Sequence, residues 1–141
     1  MRFMLDTNIC IHLIQRQPPD LLACFDSLKV GEAVMSVVTL AELRHGVERD
    51  TAVRDRADMA LVRLLEYLPA LPFGEAQAHR YGVLAAAVKE RRRDALDRLI
   101  AAHALSLDLT LVTNNEADFA GYPGLQVENW LTDHTRRTGP G

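Results

Sequence analysis

Short apolar runs that each stop at a polar residue, with helically spaced stretches between them, constrain this chain more than any other feature. Arg2-Phe3-Met4-Leu5 halts at Asp6-Thr7-Asn8, Glu32 to Met35 halts at Ser36, and Leu109 to Val112 halts at Thr113-Asn114-Asn115. These runs read as strands ending in polar turns. Between them, Ile9 to Gln15 has helical spacing up to Pro18-Pro19, and Asp20 is placed to cap a second helix through Leu28. Thr39-Leu40-Ala41-Glu42 opens a third, and residues 51–67 continue helically with Met59, Leu61, Val62, Leu64 and Leu65 as a stripe to bury. Pro69 and Pro72 forbid a helix across 68–73, which is left extended; residues 75–92 and 94–107 return to helix, and 125–127 is a weak strand. The alternation predicts an α/β fold, a mainly parallel central sheet flanked by helices in an α/β/α sandwich. Ligands of such sheets gather outside the carboxyl ends of the strands. Parallel strands at 2–5 and 109–112 therefore deliver Asp6 and Thr113 to Asn115 to one edge.

Composition sets the outer bounds. With 141 residues, 48% of them apolar and 25% charged, the chain suits a single domain, one that buries roughly two-thirds of its unfolded surface. A disordered tail and a disulfide scaffold are excluded as classes. The longest apolar run, Val83 to Val88, has six residues, against the roughly 18 of a membrane span. Asp6 arrives too early for a signal-peptide core, and Cys10 and Cys24 form no Cys-x-x-Cys motif. The expectation is a soluble cytoplasmic protein with one domain over 1–131 and a polar tail over 132–141. A net charge of −3 argues against a purely electrostatic nucleic-acid binder. Locally, however, Lys89, Arg91, Arg92, Arg93 and Arg98 form a basic stripe, suited either to phosphates or to a solvated helix face.

Four acidic positions carry the chemistry: Asp6, Glu42, Asp97 and the segment Asn115 to Asp118. Each also has an ordinary structural reading. Asp6 could cap a helix, Glu42 could complete a capping box with Thr39, Asp97 could answer a helix dipole, and Asp118 could cap a turn. Together they fall at element boundaries, and at least two share a sheet edge. Two carboxylates about 5 Å apart repel by about 3 kcal/mol at an effective dielectric of about 20, a cost relieved by protonation or by a cation. Oxygen-only donors select a hard ion, Mg²⁺ or Mn²⁺, over zinc. The natural chemistry of such a site is phosphodiester hydrolysis by water, which needs neither a Ser–His pair nor a phosphate-cradling Gly loop.

The order of motifs is more specific. Leu5-Asp6-Thr7-Asn8, then Ser36-Val-Val-Thr39-Leu-Ala-Glu42-Leu, then Asp97-Arg-Leu-Ile-Ala-Ala-His103-Ala-Leu, then Leu111-Val-Thr-Asn-Asn115 with Asp118-Phe119 resembles the PIN-domain ribonucleases. Within them it is similar to the VapC toxins of bacterial toxin–antitoxin pairs, as is the ending Pro123-Gly124-Leu125 and Val127-Glu128-Asn129-Trp130. The resemblance implies a PIN nuclease domain acting as a Mg²⁺- or Mn²⁺-dependent endoribonuclease on transfer RNA or another RNA of translation. It also implies a VapB-type antitoxin that occludes the site and a toxin homodimer, with the early helices as binding surfaces. By the same resemblance Asp6, Glu42 and Asp97 are metal-binding carboxylates, with Thr7, Ser36, Thr113 and Asn115 as polar supports. Where many members carry an acid two positions after the last strand's Thr, this chain has Asn115, so Glu116 or Asp118 takes that place, with Asp118 preferred. Asp94 competes with Asp97, which the following Leu-Ile-Ala-Ala run favours.

The remaining polar residues divide. Arg44, Arg91, Arg92 and Arg93 are candidate RNA contacts, although a helix-surface arginine is the commoner outcome. His103, on an apolar helix face, reads as a satisfied core histidine, and Trp130 as a packing residue. Nothing in the spacing of His12 or His45 brings them to the site. Two rivals remain: a haloacid-dehalogenase-like phosphohydrolase, disfavoured because Asn8 stands where a second Asp is wanted, and a degenerate PIN-like module that binds RNA or protein without cutting.

Overall fold

A computed structural model describes residues 1–88 and 94–131. The candidate RNA contacts Arg91, Arg92 and Arg93 and the tail 132–141 lie outside the described residues. Five strands form one sheet in the order β3-β2-β1-β4-β5 and all pair in parallel: β1 (Phe3–Leu5), β2 (Ala33–Ser36), β3 (Ala70–Leu71), β4 (Thr110–Val112) and β5 (Val127–Glu128). The helices are α1 (Thr7–Ile14), α2 (Pro19–Asp26), α3 (Val37–Glu48), α4 (Arg54–Tyr67), α5 (Glu75–Ala87) and α6 (Ala95–Ser106), with a 3₁₀ turn at Glu116–Phe119.

The strand order explains how the helices divide. From β1 to β2 to β3 the chain steps one way across the sheet; from β3 to β4 and on to β5 it steps the other way. Crossovers of a single hand then place the first helices on one face and the later ones on the other. Side chains follow the period of two along each strand. Phe3, Leu5, Ala33, Met35 and Val112 enter a core with α1 to α4, whereas Met4, Val34 and Leu111 enter a second core with α5, α6, Phe119 and Tyr122. The expected α/β/α sandwich is thus present. Trp130 is fully buried and meets Phe3 edge-to-face, with ring centroids 5.1 Å apart, so it packs as expected.

Several boundaries differ from the sequence expectation, each for a local reason. α1 begins at Thr7 rather than Ile9, because Asp6 Oδ1 accepts the Ile9 N–H at 3.0 Å. Pro18, not Asp20, stands at the cap of α2; Pro19 fills the first helical position, where no N–H is needed, and Asp20 falls in the first turn. α3 opens at Val37 with Ser36 as its cap, so Thr39 lies inside the helix and its capping box with Glu42 does not form. On α4, Leu61 and Leu64 are buried, but Met59 and Val62 are about half exposed and belong to the outer face rather than the core stripe. The last strand lies at Val127–Glu128, two residues later than expected, after a turn in which Gly124 adopts φ +80°, a conformation other residues rarely take.

Candidate active site

The order β3-β2-β1-β4-β5 reverses between β1 and β4, and that switch point is where an open parallel sheet leaves a crevice at its carboxyl edge. The pairing Leu5↔Val112 brings both strands to that edge in register. Asp6 N–H donates to Val112 O at 3.0 Å, which seats Asp6 beside Thr113. The Thr113 side chain is near enough to the Asp6 carboxyl to lower its pKa. Asp6 is therefore a helix cap that also stands in the candidate site.

Glu42 arrives from α3. Thr7 Oγ1 donates to Glu42 Oε1 at 2.5 Å and lies 3.4 Å from Thr39 Oγ1. Thr39 and Glu42 are three residues apart, so one helix face presents both. Asp97 arrives from the first turn of α6, with Asp94 at that helix's cap. Asp118 arrives from the 3₁₀ turn, where Asn115 Nδ2 donates to its Oδ2 at 2.8 Å, while the Asn115 N–H donates to Thr113 Oγ1 at 3.0 Å. Asn115 thus holds a carboxylate instead of supplying one. Thr113, Asn115 and Asp118 are thus linked by hydrogen bonds along the sheet edge, next to Asp6.

Charge reports the convergence. Burial, followed by the negative charges of Asp118, Asp6, Glu42 and Asp94, pushes the Asp97 carboxyl up to about 6. Burial also raises Asp6, with Glu42 adding to the rise, although the Thr113 hydroxyl and the Ile9 N–H oppose it. Exposure grades from buried Asp6 through half-buried Glu42 and Asp97 to exposed Asp118. As the side chains stand, no three His, Cys, Asp or Glu groups among the described residues enclose a single ion. The donor set still fits a hard divalent cation, because Mg²⁺ is commonly held through one or two carboxylates and keeps several waters. The carboxylates that raise Asp97 repel one another, and that is the chemistry such an ion answers.

Other expected residues fall elsewhere. Ser36 is buried at the cap of α3, accepting the Val38 N–H at 3.0 Å, and contacts His103 rather than a carboxylate. His103 is buried in the core as its apolar face suggested, but it is satisfied only in part: Nδ1 meets Ser36 Oγ, while Nε2 has no hydrogen-bond partner among the described residues. Arg44 forms ion pairs with Asp58 and Glu48, so its guanidinium already has carboxylate partners. His12 was not legible as a site residue. From α1 its charge acts on Asp6, and its Nε2 lies 3.4 Å from Asn114 Nδ2, a partner 102 residues away. Thr39, read from sequence as a cap, supports the Thr7–Glu42 bond instead. Its three-residue spacing from Glu42 was the available signal.

Away from the carboxylates, α1, α2 and α4 border a groove of about 610 Å³ lined by Leu13, Ile14, Leu22, Phe25, Leu64 and Tyr67, with Arg16, Lys29 and Arg63 also lining it.

A PIN-domain profile matches residues 3–125. The chain is 34% identical over 132 residues to the tRNA(fMet)-specific endonuclease VapC of Shigella flexneri, spanning 92% of this chain and 98% of that protein. It is 33% identical over 133 residues to ribonuclease VapC2 of Haemophilus influenzae, spanning 93% and 99% respectively. Among solved structures, DNA-bound VapBC from Salmonella typhimurium superposes with a TM-score of 0.82 at 31% identity, over 92% of this chain and 98% of that one. VapBC2 from Rickettsia felis, bound to a promoter DNA fragment, gives 0.81 at 31% identity, over 92% and 99%. A profile match over most of the sequence and relatives aligned along nearly their whole length agree with the site geometry: this chain belongs to the PIN-domain family, among its VapC ribonucleases.

Proposed function

We propose that this protein is the toxin of a toxin–antitoxin pair, an endoribonuclease that uses Mg²⁺ or Mn²⁺ to hydrolyse RNA phosphodiester bonds. The observation that carries the chemistry is the convergence of Asp6, Glu42, Asp97 and Asp118 on one edge of the sheet, where burial first and the neighbouring carboxylates second lift Asp97 to about 6. Asp6 and Asp97 are the direct metal ligands. Glu42, held by Thr7, serves as a third ligand or orients the attacking water. Asp118, held by Asn115, completes the acidic shell in the place where Asn115 itself brings no charge. When bound, the ion supplies Lewis-acid stabilisation of the phosphodiester and a water of lowered pKa. No side chain acts as nucleophile.

Transfer RNA is the proposed substrate class, on the strength of the Shigella flexneri relative's specificity. A VapB-type antitoxin is the proposed partner, in line with the VapBC complexes that this chain resembles. The apolar groove between α1, α2 and α4 is the surface we assign to it, and a homodimer of the toxin is part of the same reading.

The test is cleavage of total transfer RNA by the purified chain with Mg²⁺, with Mn²⁺ and with excess chelator. Metal-dependent scission, lost on chelation and restored by the ion, is expected. RNA binding without scission under any metal would replace the nuclease by a non-cleaving module.

A further inference from the structure

His103 lies six residues beyond Asp97 on α6 and is fully buried. Its Nδ1 is 2.8 Å from Ser36 Oγ, across 67 residues of sequence. Ser36 is itself fully buried, and its Oγ already accepts the Val38 N–H that caps α3. The hydroxyl proton of a buried serine needs an acceptor, and Nδ1 is the one at hand. The imidazole is then neutral with its proton on Nε2, in keeping with the burial that lowers its pKa. Phe73 closes against the ring edge-to-face, with centroids 5.5 Å apart.

This bond joins the two helices whose carboxylates repel. α6 carries Asp97 and α3 carries Glu42, and the charge on Glu42 is among those that push Asp97 up. Resting on the metal-site reading above, we propose that His103 is a positioning residue: by accepting the Ser36 hydroxyl it fixes α6 against the start of α3, and so sets where Asp97 stands relative to Glu42. Packing alone does not explain a histidine here. Among the described residues its Nε2 is buried without a hydrogen-bond partner, a cost that an apolar side chain of similar volume would avoid.

The test compares the intact protein with His103→Phe, which keeps a ring and drops the bond, and with His103→Asn, whose amide can take the place of Nδ1. Mn²⁺ dissociation constants come from calorimetry on the RNA-free protein, with thermal midpoints and the kcat and KM for RNA alongside. Groups that orient metal ligands typically account for about 10- to 100-fold in affinity. His103→Phe is therefore expected to bind Mn²⁺ about tenfold more weakly, with kcat reduced, KM for RNA unchanged and the fold retained. His103→Asn should recover most of that loss. Should His103→Phe fail to fold, His103→Leu removes the same bond while leaving the Ser36 cap on α3 in place, and is read in the same way. Wild-type Mn²⁺ affinity and kcat in a folded variant lacking the bond would overturn the proposal, as would a lowered thermal midpoint with affinity unmoved. A wild-type chain that binds no Mn²⁺ would instead overturn the metal-site reading, and this inference with it.

Discussion

Thr7, the first residue of α1, donates its hydroxyl to Glu42 Oε1 at 2.5 Å across 35 residues of sequence, and thereby ties the helix after β1 to the carboxylate on α3. The strand that delivers Asp6 thus also fixes the orientation of Glu42. A threonine directly after the first aspartate thus holds a carboxylate of the candidate site, although it carries no charge.

Thr7→Ala frees Glu42 while leaving the Asp6 cap on α1 in place. Cleavage is expected to fall about tenfold, the lower end for loss of an orienting partner. Stability should change by only about 1 kcal/mol, since the bond is partly solvated. Steady-state kinetics and thermal unfolding of the same preparation check both numbers. Full activity would remove Thr7 from the site.

Asn115→Ala withdraws the amide that holds Asp118, and Asp118→Asn removes the charge itself. If Asn115 works by holding Asp118, the two changes act on one element, and the double variant should be no worse than Asp118→Asn alone. A double-mutant cycle on kcat/KM measures this. Fully additive losses would show that Asn115 acts independently of Asp118.

The elevated Asp97 carboxyl gives a pH signature. Its value rises from 3.8 to about 6 in the folded protein, so the metal-free native state holds that proton more tightly than the unfolded chain. The Asp97 contribution to stability is therefore lost progressively as pH rises from 3.8 to about 6, and is constant above that. His103 works in the opposite sense, because a histidine with a lowered pKa destabilises the fold as pH drops below its unfolded value of 6.5. Comparison with Asp97→Asn cancels the histidine and isolates the carboxylate. The thermal midpoint of the variant should gain on the wild type across that window and then run parallel to it. A difference independent of pH would contradict the burial and carboxylate crowding that raise Asp97.

Much of this architecture was legible in the sequence because strands in a parallel sheet are apolar and stop at polar residues. Leu5-Asp6 and Val112-Thr113 marked the two strand ends that meet at the switch point. The start of α3 was harder to read, since Ser36 and Thr39 both suit a cap and Val37-Val38 continues an apolar run. The contact with His103, 67 residues away, is a tertiary feature that no local pattern reports. The α4 stripe misled for a different reason. Met59 and Val62 are as apolar as Leu61 and Leu64, and only the position of the sheet decides which pair faces inward. Asp6 and Asp97 do stand at element ends, but Glu42, expected at a boundary, lies in the middle of α3 and Asp118 lies within the 3₁₀ turn, and the supports that hold them were visible only in part. Thr7 and Thr113 adjoin their strands, but the use of Asn115 to hold Asp118 depends on the 3₁₀ turn.

The most direct measurement is calorimetric titration of Mg²⁺ and Mn²⁺ into the wild-type chain and into Asp6→Asn and Asp97→Asn. Asparagine caps a helix about as well as aspartate, so the first variant should fold normally. The expected result is one divalent-dependent binding event in the wild type, lost or weakened at least tenfold in each variant while thermal unfolding stays cooperative. Equal affinity in all three chains would show that Asp6 and Asp97, though drawn together at the sheet edge, do not hold the ion.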